Sequence, residues 1–158
     1  MMTNYLQILQ DSLIKKYELL CKIEEKSLEQ SHMLKSQNVD LALVDSNMDE
    51  KAELINEVLS LDNGFESIYE KIRTQLLPNK EQYKTQIVTL QKLIEKVTEK
   101  SASIQTIEAR NKTQMDLVFS NQKRELQSRR NAMSVARDYY QNMNKVKNVS
   151  PQFLDQKK

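Results

Sequence analysis

The chain has 158 residues, 24 Lys and Arg against 22 Asp and Glu, and a net charge of +2, with 39% apolar and 29% charged residues. Its one Gly, two Pro, one Cys and one His exclude a turn-rich sheet protein, a Walker or Rossmann phosphate loop, a disulfide and a structural zinc site. No run reaches the ~18 apolar residues of a membrane span, so the composition predicts a long-helix, all-α protein.

The first periodic stretch covers residues 3–37, with Thr3 or Asn4 available as a cap. Leu6, Leu9, Leu13, Leu20, Ile23 and Leu34 keep a 3–4 spacing. Lys16, Ser27 and Gln30 fall in the same register and interrupt it. Cys21, among Leu19, Leu20 and Ile23, reads as packing rather than chemistry. A lone cysteine, seven methionines and an N-terminus without Lys or Arg up to Gln10 suit a cytoplasmic protein without a secretory signal.

A polar cluster from Lys35 to Asp40 marks a turn, with Asn38 or Asp40 as the next cap. The second stretch covers residues 40–77 on Leu41, Val44, Met48, Ile55, Val58, Phe65, Ile72 and Leu76. Gly64 lies inside it in Asp62-Asn63-Gly64-Phe65. A hairpin would suit Asn-Gly, yet the stripe holds its phase on both sides, which predicts one continuous helix. Pro78 breaks the chain there, and Asn79 is placed to cap the third helix.

From 79 to 150 there is neither Gly nor Pro. Tyr83, Ile87, Leu90, Ile94, Val97, Ile104, Met115 and Val118 mark an apolar face. It thins between Lys100 and Lys112 and resumes at Leu126, Met133, Ala136, Tyr140 and Met143. The expected fold is an elongated antiparallel up-down-up bundle over residues 1–116, with helices 3–37, 40–77 and 79–116. Its long third helix extends beyond the bundle as an amphipathic basic arm, 117–147, before a flexible tail, 148–158. Phe119, Leu126, Met133, Ala136, Tyr140 and Met143, with Arg129 and Arg130, then lack an intrachain partner and form the expected partner-binding surface. Residues 38–78 carry 3 basic and 9 acidic side chains, and residues 123–158 carry 9 and 3. The two segments, at −6 and +6, are complementary within a molecule or between molecules.

Candidate chemistry is thin. Asp45, Asp49, Glu53 and Glu57 recur every four residues and read as a solvated face. Glu29-Gln30-Ser31-His32 matches half of a di-iron helix motif, but such a site needs a second such unit and further glutamates. No second histidine or glycine-lined oxyanion hole is available for nucleophilic catalysis. Lys123, Arg124, Arg129, Arg130 and Arg137 with Tyr139 and Tyr140 resemble a nucleic-acid surface, yet no dense basic run exists. The expectation is a non-enzyme with no catalytic residue, cofactor, metal, nucleic acid or inserted membrane segment.

Asn38-Val39-Asp40-Leu41, then Lys51-Ala52-Glu53-Leu54-Ile55, Leu59-Ser60-Leu61 and the closing Phe153-Leu154-Asp155-Gln156-Lys157-Lys158 resemble the FlgN-type flagellar export chaperones, with the FliT-type close behind. The resemblance implies a cytosolic type III export chaperone. Its clients would be the hook–filament junction proteins FlgK and FlgL, bound through C-terminal helical segments and kept unassembled before secretion. A FliT-type chaperone would hold the filament cap protein instead. A homo-oligomeric coiled coil, dimeric through the third helix, is the structural alternative.

Overall fold

The computed structural model describes residues 1–121 and 130–149, and within the latter the side chains of 134–143. It is an all-α helical bundle: α1 (Met2–Leu34), α2 (Leu41–Leu76), α3 (Lys84–Asn121) and α4 (Arg130–Val149), with a short 3-10 turn at Leu77–Asn79.

The ends of these helices follow local chemistry. α1 starts directly after Met1 without a side-chain cap, so Thr3 and Asn4 lie inside the helix. It closes through the Lys35 and Ser36 amides on the His32 and Met33 carbonyls, both at 3.3 Å. Asp40 caps α2, its carboxylate accepting from the amides of Ala42 at 3.0 Å and Leu43 at 3.3 Å. Two otherwise unsatisfied donors are thereby met. α2 runs unbroken through Gly64, as the stripe predicts. Pro78 ends it. Asn79 does not cap α3; its amide donates to the Gln75 carbonyl at 2.7 Å, closing α2 instead. α3 therefore begins at Lys84, five residues later than the spacing suggests.

Packing divides the bundle into two halves. At one end Leu6, Leu9 and Leu13 of α1 meet Tyr69, Ile72 and Leu76 of α2 and Leu90 and Ile94 of α3. Among the described residues this half has three helices. At the other end Leu20, Ile23 and Leu34 join Met48 and Ile55 of α2 and Ile104 and Met115 of α3, and α4 adds Ala136, Tyr139 and Met143. α1 packs between α2 and α3, while α4 lies on α2 and more narrowly on α3.

The long protruding third helix is corrected here. α3 is described as far as Asn121, and a fourth helix packs back on the bundle instead of extending away from it. Phe119 and Met115 share a cavity wall with Ala136 and Tyr140, which makes α4 antiparallel to α3. The physical reason is burial. An arm left in water exposes the stripe of Ala136, Tyr139 and Met143, and each large apolar side chain covered contributes about 1.5–3 kcal/mol. The half-length fourth position of the bundle is the nearest place to cover it.

Candidate functional site: the groove beneath the fourth helix

Two of the three polar residues that interrupt the register of α1, Ser27 and Gln30, come together with Lys51, Glu108 and Asn111 in one layer. Lys51 of α2 is fully buried. Its ammonium donates to Oε1 of Gln30 on α1 and lies 3.1 and 3.5 Å from the two carboxylate oxygens of Glu108 on α3. The Asn111 amide donates to the Ser27 carbonyl at 2.9 Å and to Gln30 Oε1 at 3.2 Å, and the Ser31 hydroxyl donates to Asn111 Oδ1. Ser27 returns its own hydroxyl to the Ile23 carbonyl at 2.8 Å. α1, α2 and α3 thus satisfy the buried charge among themselves, as a low-dielectric interior demands.

α4 roofs this layer. The Tyr139 ring sits over Lys51, with Nζ 4.3 Å from its centroid, and the Tyr139 hydroxyl stands 3.5 Å from Ser27 Oγ. Tyr140 meets Tyr139 edge-on, with centroids 5.2 Å apart. Burial pulls the Lys51 ammonium down to about 8, against the opposing pull of the Glu108 carboxylate. Burial, reinforced by the Glu108 charge, pushes both tyrosine hydroxyls well up. The tyrosines stay neutral at physiological pH.

Along the same groove Ala136, Arg137 and Tyr140 wall a cavity of about 250 Å³ against Met115, Asp116 and Phe119. A second, shallower apolar groove of about 380 Å³ lies between α1 and α2, over Ile8, Leu61, Gly64, Phe65 and Ile68. A second buried pair, Lys16 and Asp62 at 2.7 Å, ties α1 to α2 above it.

The expected partner surface is redistributed. Phe119, Ala136 and Met143 are buried in the core and Tyr140 is half-buried against it, so these four do have intrachain partners. Leu126 and Arg129 lie outside the described residues, as do the side chains of Arg130 and Met133. Of the two tyrosines, the register favours Tyr140 as the inward one, yet Tyr139 is the more deeply buried, at 1% exposure. Lys51, Glu108 and Asn111 carry no pattern of their own in the sequence. Their signal is indirect: Ser27 and Gln30 at core positions of α1, facing the stretch of α3 where apolar residues thin.

The remaining candidates stay apart. His32 is exposed, and Glu29 is engaged with Lys26 at 3.4 Å and Asn47 at 3.5 Å. Asp49, Glu53 and Glu57 face solvent and Asp45 is half-buried. Cys21 is a half-buried free thiol. Among the described residues no group of three or more His, Cys, Asp or Glu is placed to hold a metal ion, and no helix is long and apolar enough to cross a membrane.

The class these features define is an all-α bundle whose fourth helix roofs a charged layer along half its length. No protein-family model, curated protein or solved structure matches the chain.

Proposed function

We propose that the protein is a non-catalytic cytoplasmic chaperone of the flagellar type III export kind. In this reading it holds C-terminal helical segments of the hook–filament junction proteins FlgK and FlgL. The groove between α2 and α3 receives the client, and α4 occupies it when no client is bound. One observation carries the reading: α4 is a separate amphipathic helix seated through a single stripe, Ala136, Tyr139 and Met143. The charge beneath it is already paired within α1–α3. Its departure leaves Lys51 with both polar partners, so an incoming amphipathic helix has to cover only the face that the Tyr139 ring and its apolar neighbours cover now.

The resemblance in helices α1 and α2 supplies the client class. Titration of the full chain with C-terminal segments of FlgK and FlgL tests it directly. The reading expects 1:1 binding and faster amide exchange in α4 on binding. No binding of either segment overturns it. Binding only of the filament cap protein's segment moves the assignment to the FliT-type, and reversible dimers in sedimentation without client binding favour the structural coiled coil.

A further inference from the structure

The ammonium of Lys51 has three N–H donors and no acceptor. Gln30 Oε1 takes one, and the Glu108 carboxylate takes another between its two oxygens, at 3.1 and 3.5 Å. The remaining face of the ammonium meets the Tyr139 ring, at 4.3 Å from Nζ to the centroid. Lys51 is fully buried, so no water competes for that third position. An aliphatic side chain in place of the ring would leave a buried N–H against hydrocarbon. An aromatic ring offers its negative face instead, an interaction strongest when desolvated.

We infer that Lys51 is a specificity-determining residue of this groove. It selects, for whichever helix lies on α2 and α3, an aromatic side chain three residues after a small one and four before an apolar one. α4 satisfies that pattern with Ala136, Tyr139 and Met143, all buried. The small residue, Ala136, lines the cavity shared with Phe119 and Met115, the aromatic caps the charge, and the apolar residue joins the core beyond it. The partner class is therefore an amphipathic helix with a single inward-facing aromatic at that place. This rests on the reading of the groove as a client site, and it sharpens the client's chemistry.

The test uses the full chain carrying Y139A, which weakens its own α4 without touching Lys51, Gln30 or Glu108. Labelled peptides spanning residues 130–149, unchanged or carrying Y139F, Y139L or Y139A, are titrated against it. The unchanged and Y139F peptides are expected to bind alike, Y139L about tenfold more weakly and Y139A more weakly still. The same chain with K51M and E108Q added, which removes the buried charge as a pair, is expected to bind Y139L at least as tightly as the unchanged peptide. Urea melts of both chains check that the bundle persists. Equal binding of Y139L and unchanged peptide to the lysine-bearing chain overturns the inference. So does an aromatic preference that survives K51M with E108Q, and so does failure of every peptide to bind. Because these probes contain no FlgK or FlgL sequence, aromatic selection without capture of those segments would retain this inference and refute the flagellar reading. Capture of those segments without aromatic selection would do the reverse.

Discussion

Lys51 is the residue on which the pH behaviour turns. Its amine is at about 8 in the folded chain against about 10.4 when exposed after unfolding. Below pH 8 both states bind the proton, and the folded state bears the full cost of burying it. Between about pH 8 and 10 the unfolded state holds more protons, so stability rises with pH, on the order of 2–3 kcal/mol. Tyr139 and Tyr140 act in the opposite sense. Their raised folded values make stability fall once the unfolded tyrosines ionise above about pH 10. Urea midpoints across pH 7–11 should therefore rise and then turn over, and K51M with E108Q should abolish the rise. Losing one partner is far more damaging than losing both. E108A alone leaves an uncompensated ammonium and should cost about 3–5 kcal/mol, whereas the paired replacement should cost much less. None of this was legible residue by residue, because a lysine at a core register position reads simply as a defect in the stripe. What the pattern does disclose is the level of the defect, where Ser27 and Gln30 of α1 face the depleted stretch of α3.

At the scale of elements, periodicity located three helices and missed a reversal. The stripes of α1, α2 and α3 define their buried faces, and Asp40 and Pro78 mark their limits. Between Phe119 and Met143, by contrast, no Gly or Pro interrupts the chain, and the apolar residues resume at helical spacing. A continuous helix and two antiparallel ones give the same pattern when no breaker separates them. Only the packing of α4 on α2 distinguishes them. Two substitutions test the element-level account. D40A should remove the α2 cap and lower stability by about 1 kcal/mol, read as a fall of about 2–4 °C in Tm. G64A should raise stability by a similar amount, because nothing stands within 4 Å of the added methyl carbon and alanine favours the helix interior. A drop with G64A would mean that α2 needs its glycine for a reason beyond helix propensity.

For the whole molecule, the two halves differ in cover. Around Leu9, Ile72 and Leu90 three helices close a core without α4, whereas around Ile23, Met48 and Ile104 the core includes α4. α4 lies on α2, the acidic helix of the chain, and of the last segment's basic side chains only Arg137 falls among the described ones. The central claim is that α4 is docked over the polar layer yet separable from the bundle, and amide hydrogen exchange on the full chain tests it most directly. The account predicts that amides of residues 134–143 are protected, but exchange at least tenfold faster than those around Ile23, Ile55 and Ile104. Protection equal to that of the core would contradict separability, and no protection at all would contradict docking.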